Sequence, residues 1–281
     1  MYNISLTIIK DNPSSTERLD LTPTNGYYVE TVEGLTGIES KIITTQQVNS
    51  VGESFAGYSI IGKSLTIKGL VLDQQTAKKQ ALLDFVKPAR ELYLCVYRTE
   101  GSGQAQRLTP YRKAKCVVKN SPIITQEKHS KFSIVLTMPF PYWIATTKEE
   151  YTLSMGQGFV NMYGDTEPDF EFSFTIPTTQ NPMTTLTLYH GAGTNGEHLD
   201  FDFSKASLGY VTAGDAVKVF RENGRFRCTI NDIDEINVIL YSSTLWTLPL
   251  GTREVYHTNV YIDDAKITYY PCYAGVLVDG V

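Results

Sequence analysis

Apolar and polar side chains alternate with a period of two along much of the chain, a pattern typical of half-buried β-strands. In the first half the clearest example is KFSIVLTM (131–138), whose apolar face is formed by Phe132, Ile134, Leu136 and Met138. Three more segments are short, rich in β-branched or aromatic residues and bounded by turn residues: SLTIKGLVL (64–72), LYLCVY (92–97) and AKCVVK (114–119). The first half is therefore predicted to be mainly β.

One segment of the first half follows a helical period instead. In DQQTAKKQALLDFVKPAR (73–90) apolar residues recur at helical spacing, namely Ala77, Ala81, Leu82, Phe85 and Val86. Asp73 or Thr76 can cap the start of this helix, and Pro88 marks its end. The N-terminal half is thus predicted to be a β-sandwich or barrel-like domain that carries a single α-helix.

Strand patterns resume in the second half with no helical segment among them. The strongest is DFEFSFTIP (169–177), which alternates aromatic and polar side chains. The others are TLTLYH (185–190), LDFDF (199–203), AVKVF (216–220), FRCTI (226–230), INVILY (236–241), VYHTNVYI (255–262) and KITYYPCY (266–273). Asn223-Gly224 between two of them is a dipeptide preferred in type I′ hairpin turns. These patterns predict an antiparallel jelly-roll or lectin-like β-sandwich.

The segment PYWIATT (141–147) lies between the two groups of strands. A chain of 281 residues exceeds the usual size of one domain, so a boundary is expected near its middle. We expect Pro141, Tyr142 and Trp143 to close the first core where its last strand ends. The predicted domains are therefore residues 1–147 and residues 148–281.

Charge is unevenly divided between the two halves. Residues 1–145 hold 17 Lys and Arg against 12 Asp and Glu, a net of +5, while residues 146–281 hold 8 against 18, a net of −10. Nucleic-acid affinity depends on clustered basic side chains that release counterions from phosphates. The acidic half is therefore predicted to bind no nucleic acid.

Targeting signals and cysteine motifs are not evident. The N-terminal apolar stretch has no basic segment before it and no cleavage site after it, and no segment approaches the roughly 18 apolar residues of a spanning helix. We therefore expect a soluble chain made in the cytosol. Cys95 and Cys116 can face each other across a hairpin, but the favoured interpretation of all four cysteines, Cys95, Cys116, Cys228 and Cys272, is as small buried hydrophobes with free thiols.

The segment LYHGAGTNGEHLDFDF (188–203) is the richest in residues that can bind a ligand. His190, His198, Asp200 and Asp202 are competent metal ligands, but the two aspartates alternate with Leu199, Phe201 and Phe203, which favours the solvent face of a strand. GAGTNG lacks the Gly-to-Gly-Lys spacing of a phosphate loop. We therefore assign no metal-ligating and no cofactor-binding residue.

Carboxylates also cluster at Asp232, Asp234 and Glu235 and at Asp263 and Asp264. A glycosidase needs two facing carboxyls about 5–9.5 Å apart, which sequence spacing does not show, and solvated turns are the favoured interpretation. No nucleophile elbow is present, and the histidines lie in no recognisable signature with Ser or Cys. We assign no catalytic residue and predict that the protein is not an enzyme.

Basic residues cluster in YRKAKCVVK (111–119). Lys113, Lys115 and Lys119 share a parity on a strand and therefore a face. That face can contact an acidic partner or passing nucleic acid. A solvated strand face is favoured, because Lys on an exposed strand also blocks edge pairing.

The order of these features resembles that of the distal tail protein family of long-tailed bacteriophages. The similarity is carried by YYVETVEGLTGIE, GESFAGYSIIGKSLTIKGLVL, the single helix, KPARELYLCVYR, RLTPYRKAKCVV, KFSIVLTMPFPYW, VTAGDAVKVFRENGRFRC and STLWTLPLG. Its most specific parts are the strand that ends in Pro141-Tyr142-Trp143 and the hairpin from Gly214-Asp215 to Asn223-Gly224.

The resemblance implies a structural hub rather than an enzyme. Members of the family form a hexameric ring at the tip of the tail tube, so the resemblance implies a homo-hexamer. Its implied partners are the tail tube protein, a tail-associated fibre or lysin protein, and receptor-binding or baseplate components. It also implies a galectin-like C-terminal domain and a place in the virion tail tip after assembly in the host bacterial cytoplasm. Neither a membrane nor a specific nucleic-acid sequence is an expected partner.

Two other functions stay open on the sequence. A carbohydrate-binding protein would use exposed C-terminal aromatics such as Trp246, Tyr256 or Tyr261, and a glycan-cleaving tail enzyme would use one of the acidic pairs. For a ring, a loop or hairpin has to reach the next protomer. The polar stretch TTQQVNSVGESFAGYS (44–59) is the first candidate, and TEGSGQAQ (99–106) is the second.

Overall fold

The protein consists of two compact units, Met1–Thr146 with Tyr273–Val281, and Thr147–Cys272. The computed structural model describes residues 4–10, 16–45, 54–73, 75–100, 107–125, 130–153, 157–176, 185–190, 197–207, 209–222, 225–243, 248–257 and 262–276. Strands account for 60% of the structure, which confirms the prediction of a mainly β protein.

The first unit contains eleven strands and the one α-helix of the described residues, α1 (Gln75–Phe85). Its strands are β1 (Ile4–Lys10), β2 (Arg18–Leu21), β3 (Tyr27–Glu33), β4 (Ser40–Thr45), β5 (Ser54–Ile60), β6 (Lys63–Val71), β7 (Glu91–Glu100), β8 (Arg107–Val118), β9 (Ile123–Ile124), β10 (Ser130–Met138) and β11 (Trp143–Ala145).

An antiparallel sheet with the order β2-β1-β7-β8-β10-β6-β3 forms the body of the first unit. β9 pairs with β10, and β11 pairs with β8. The register of β10 on β6 places Ile134 opposite Ile67 and Leu136 opposite Leu65, all of them fully buried. The two-residue alternation of KFSIVLTM therefore lines one wall of the core, as predicted.

The helix and the Pro-Tyr-Trp step complete this core. Leu82 and Val86 are buried against the sheet, whereas Ala77, which was expected on the same apolar face, is exposed. Trp143 is fully buried, and its Nε1 donates a hydrogen bond of 3.0 Å to the carbonyl of Leu35. The expected role of this step in closing the first core is thus confirmed.

Residues 273–276 pack into the first unit. The backbone N–H of Val276 donates to the same Leu35 carbonyl at 3.0 Å. Lys63, only 6% exposed, donates through Nζ to the carbonyls of Gly37 and Ala274, each at 3.2 Å. These bonds explain why the end of the described chain belongs to the first unit.

The second unit is built from two antiparallel sheets. Its strands are β12 (Glu149–Thr152), β13 (Gln157–Met162), β14 (Phe170–Thr175), β15 (Thr185–His190), β16 (Glu197–Asp202), β17 (Ala216–Glu222), β18 (Arg225–Ile230), β19 (Ile233–Asp234), β20 (Gly251–His257) and β21 (Asp263–Tyr269). The two-residue β22 (Cys272–Tyr273) pairs with β11 and belongs to the main sheet of the first unit. The sheet orders are β12-β21-β14-β17-β18-β19 and β13-β20-β15-β16.

One hydrophobic core joins the two sheets of the second unit. Phe172 and Val217 from the six-stranded sheet and Leu188 and Val255 from the four-stranded sheet are fully buried in the same cluster. This arrangement is a β-sandwich. The predicted fold class of this half is therefore confirmed.

One predicted strand of the second unit is wrong. The segment INVILY (236–241) begins with a 3₁₀ turn, Ile236–Val238, and its remainder is irregular. The turn forms because the N–H of Val238 bonds to the carbonyl of Glu235, and that of Leu240 bonds to Asp200 in β16. The predicted Asn223-Gly224 turn lies outside the described residues. No helix in the described ranges is long and apolar enough to cross a membrane.

Candidate interaction surfaces

Strands β4 and β5 form a two-stranded sheet of their own, separate from the main sheet of the first unit. Their register pairs Ser40 with Ile60 and Ile42 with Tyr58, and it shifts at a bulge between Ile43 and Thr44. Every residue of β4 is exposed. A two-stranded ribbon of this kind is marginally stable by itself in water, so it is a candidate to pack on another surface.

Large apolar side chains cover this hairpin. Phe55 is 68% exposed, and Ile42 and Tyr58 are each 64% exposed. Ile43 and Ile60 are also exposed. Contiguous exposed apolar surface of this kind marks interaction sites in soluble proteins. The hairpin is therefore the main candidate interaction surface of the first unit, and we call it the apolar hairpin (residues 40–45 and 54–60).

The two segments proposed for contact with a neighbouring protomer are described in part. The stretch 44–59 includes the end of β4 and most of β5, while residues 46–53 between them lie outside the described residues. Of the second candidate, 99–106, only the last residues of β7 are described. The first stretch was expected to be polar, whereas its described part carries exposed apolar side chains. Phe55, Tyr58 and Ile60, separated by small residues, are the sequence feature that indicates this apolar ribbon.

The basic strand face lies on β8. Lys113 and Lys115 point away from the core side of Ala114 and Cys116, as their shared parity predicted. Lys115 pairs with Glu91 at 2.9 Å, and burial lowers the pKa of Lys113. Lys119 is exposed just beyond the end of the strand. This face is therefore partly neutralised by an acidic residue of the neighbouring strand.

The candidate metal residues hold the fold together instead. Asp200 accepts hydrogen bonds from Thr187 Oγ1 at 2.8 Å and Ser242 Oγ at 2.9 Å, and His198 Nε2 lies 3.4 Å from it. Asp202 caps the following 3₁₀ turn through Ser204. The side chain of His190 lies outside the described part. Among the described residues no group of three or more His, Cys, Asp or Glu is arranged to hold a metal ion.

The acidic clusters divide into turns and one buried group. Asp232 and Asp264 have positive φ angles of 64° and 51°, typical of turn residues. Asp232 pairs with Lys218, and Asp234 pairs with Arg227. Glu235 is only 9% exposed and accepts from the backbone N–H of Ser207 at 3.2 Å, so the expectation of a solvated turn is wrong for this residue. Its carboxylate fixes a loop.

All four cysteines are free and buried. Burial raises the pKa of the Cys95 thiol to about 11 and that of the Cys116 thiol to about 12. Because the thiolate is the reactive form, these groups are poor nucleophiles at neutral pH. The register of β7 on β8 places Cys95 opposite Lys113 and Cys116 opposite Leu92, so the two thiols do not face each other and that expectation is wrong.

Comparison with known proteins shows that the fold of the whole chain is similar to that of solved phage proteins. No protein-family model matches the chain, and no curated protein matches it in sequence. Among solved structures, the crystal structure of the phage SPP1 Dit protein, described as a paradigm of hub adsorption apparatus in phages that infect Gram-positive bacteria, matches with a TM-score of 0.72 at 12% identity. The match covers 95% of this chain and 98% of that protein. This chain has the Dit fold.

The Dit fold includes both units, because a match over 95% of the chain leaves neither of them out. A structure of the phage p2 baseplate in its activated conformation with Sr also matches, with a TM-score of 0.50 at 11% identity over 97% of this chain and 99% of that one. The resemblance to distal tail proteins, taken from the order of short motifs, is confirmed by the fold.

The aromatics proposed for sugar binding are not among the described side chains. Trp246 and Tyr261 lie outside the described residues, and only the backbone of Tyr256 is described, in β20. The described residues of the second unit do include exposed aromatics, and Tyr241, at the end of the predicted strand INVILY, is the most exposed of them.

Proposed function

We propose that this protein is a structural hub of a phage tail tip or baseplate. It forms a homo-hexameric ring that joins the tail tube protein to a tail-associated fibre or lysin protein and to receptor-binding components. The single observation that carries the proposal is the Dit fold over both units, since the SPP1 protein with this fold is described as a hub adsorption apparatus. The ring belongs to the virion tail tip and is assembled in the host cytoplasm.

The first domain, residues 1–147, forms the ring, and the apolar hairpin supplies the contact between protomers. Burial of a Phe, Ile or Tyr side chain contributes about 1.5–3 kcal/mol. Phe55, Ile42 and Tyr58 are about two thirds exposed in a single chain, so covering them would contribute a corresponding part of this free energy to association. A neighbour that covers them would also stabilise a ribbon that has no partner sheet among the described residues.

The second domain, predicted as residues 148–281 and compact in the structure over Thr147–Cys272, carries the attachment surface. Its half of the chain has a net charge of −10, which repels nucleic acid and attracts basic protein surfaces. We expect the rate of association with a basic tail component to fall as salt rises, because charges are screened beyond about 8 Å at physiological ionic strength. We expect no membrane partner and no sequence-specific nucleic-acid binding.

A non-catalytic role is supported by the hydrogen bonds and ion pairs of the acidic residues that were considered as metal-ligating or catalytic candidates. The carboxylates of Asp200, Asp234 and Glu235 are each engaged in hydrogen bonds or ion pairs that hold loops in place. A catalytic carboxyl instead faces a cleft, where it meets its substrate. The role of these groups is therefore architectural.

The test is the mass of the full-length chain in solution and of hairpin variants. Wild-type protein is expected to be hexameric by light scattering, and Phe55→Ser with Tyr58→Ser is expected to shift it towards monomer. Phe159→Ser is the matched control, because Phe159 is 64% exposed on β13 of the second unit. Circular dichroism verifies that each variant is folded. A folded double variant that remains hexameric contradicts the assignment of the hairpin.

A further inference from the structure

A groove of about 410 Å³ opens on the surface of the second unit, beside β18. Phe226, Ile239 and Leu240 supply its apolar side chains of low exposure. Its more exposed lining consists of Arg225, Ile236, Asn237, Tyr241 and Ser243. The volume lies within the range of about 300–1,000 Å³ that is typical of small-molecule sites.

The loop that carries Tyr241 is fixed to β16. Leu240 donates its backbone N–H to the carbonyl of Asp200 at 2.9 Å, and Ser242 Oγ donates to the carboxylate of the same residue at 2.9 Å. Ser243 Oγ accepts the backbone N–H of Asp200, also at 2.9 Å. Asp200 thus fixes Leu240, Ser242 and Ser243, the residues on both sides of Tyr241. A wall held in this way loses little conformational entropy when a ligand binds.

Polar side chains around the groove are unused. Within the described part of the chain, the side chains of Arg225, Asn237 and Tyr241 make no hydrogen bond or ion pair. This contrasts with their neighbours, since Arg227 pairs with Asp234 at 2.6 Å. The guanidinium, amide and phenol groups therefore remain available to a ligand.

Tyr241 is fully exposed at the edge of this groove. An exposed aromatic ring that lines the same groove as planar hydrogen-bonding groups matches the two-sided chemistry of a sugar ring. The C–H groups on one face of a pyranose pack on an aromatic ring, while its hydroxyls need fixed donors and acceptors. We propose that this groove binds a pyranose saccharide, with the sugar ring stacked on Tyr241 and its hydroxyls bonded to Arg225 and Asn237.

A saccharide fits this groove better than the other classes of ligand. A nucleic acid would meet an acidic half with a net charge of −10. A protein hot spot places its aromatic anchor in a well-packed, desolvated pocket, whereas Tyr241 stands clear of its surroundings. The inference goes beyond the hub role, because a single chain would bind the sugar whether or not it forms a ring.

The experiment uses the full-length chain and saturation-transfer NMR with methyl glycosides of glucose, galactose, N-acetylglucosamine and N-acetylgalactosamine, followed by an array of bacterial surface glycans. We expect transfer to at least one glycoside. Tyr241→Ala is expected to weaken binding by about two- to tenfold, the loss typical of one aromatic stacking contact. Arg225→Ala should also weaken binding, and Tyr241→Phe should retain it. Tyr163→Ala, an exposed tyrosine just after β13, is the matched control and should leave binding unchanged.

Three outcomes overturn the proposal. The first is no transfer to any of the glycosides and no bound glycan on the array. The second is binding that Tyr241→Ala leaves unchanged. The third is a protein partner that binds through Tyr241 while no glycan does. Because hexamer mass is measured separately, a ring that binds no glycan overturns this inference alone, and a monomer that binds glycan overturns only the ring.

Discussion

Truncation of Trp143 tests how the first unit is closed. The indole is fully buried in the core, donates to the Leu35 carbonyl at 3.0 Å, and has Lys63 Nζ 5.8 Å from its ring centre. Trp143→Ala removes a large buried side chain, which costs about 3–5 kcal/mol in core positions. Trp143→Phe keeps most of the packing but loses the donor, which costs about 1 kcal/mol for the hydrogen bond together with a smaller cavity term.

The assay is differential scanning calorimetry of the full-length chain, since two compact units can melt in separate transitions. For a unit of about 150 residues each kcal/mol lowers the melting temperature by about 2–4 °C, so Trp143→Ala should lower one transition by roughly 6–20 °C. Trp143→Phe should lower the same transition less, and the other transition should not move. An unchanged thermogram for Trp143→Ala would refute the placement of this residue in the core.

Three further predictions concern single side chains whose surroundings the structure defines. Arg112 lies 3.5 Å from the ring centre of Tyr273 and 4.3 Å from that of Tyr111. Arg112→Ala should therefore loosen residues 273–276 and speed their backbone hydrogen exchange, measured by mass spectrometry, and unchanged exchange would count against this contact. Arg112→Lys should not restore protection, because Lys lacks the planar guanidinium. Burial lowers the pKa of Lys63 below its ordinary 10.5, so the unfolded chain holds this proton to higher pH than the folded chain. The free energy of unfolding of wild type relative to Lys63→Met should therefore rise as pH increases from neutral towards 10.5. Denaturant titration at several pH values measures this difference, and a difference that falls with pH would contradict the assignment. All four thiols, including that of Cys116, should resist alkylation by iodoacetamide at pH 8 in the native protein and react in denaturant. Mass spectrometry measures the alkylated fraction. Rapid alkylation of the native protein would disprove the burial of these thiols.

Strand patterns were predictable wherever one face of a strand is buried. The alternation in KFSIVLTM and DFEFSFTIP corresponds to β10 and β14, because the hydrophobic face must meet the core at every second residue. The same reasoning failed for INVILY. There the buried side chain of Val238 is placed by a 3₁₀ turn. Glu235 just before the turn accepts a hydrogen bond from Ser207, and Leu240 just after it donates one to Asp200, so this segment is fixed by partners distant in sequence.

The candidate surfaces were harder to predict than the fold. Phe55 and Tyr58 resemble core residues in sequence, and only the separation of β4 and β5 from the main sheet leaves them exposed. The groove at Tyr241 depends on tertiary bonds from Asp200, a residue whose alternation with apolar neighbours predicted only a place on the solvent face of a strand. A surface of this kind forms where a strand or loop has no neighbouring element to cover it. The local periodicity of the sequence does not show which elements are left uncovered.

Negative-stain electron microscopy of the purified full-length chain tests the central claim most directly. The account predicts particles with six-fold symmetry and a central hole, and their replacement by single chains in the Phe55→Ser, Tyr58→Ser variant. Wild-type particles that remain monomeric at high concentration, or that assemble with a different symmetry, would contradict it.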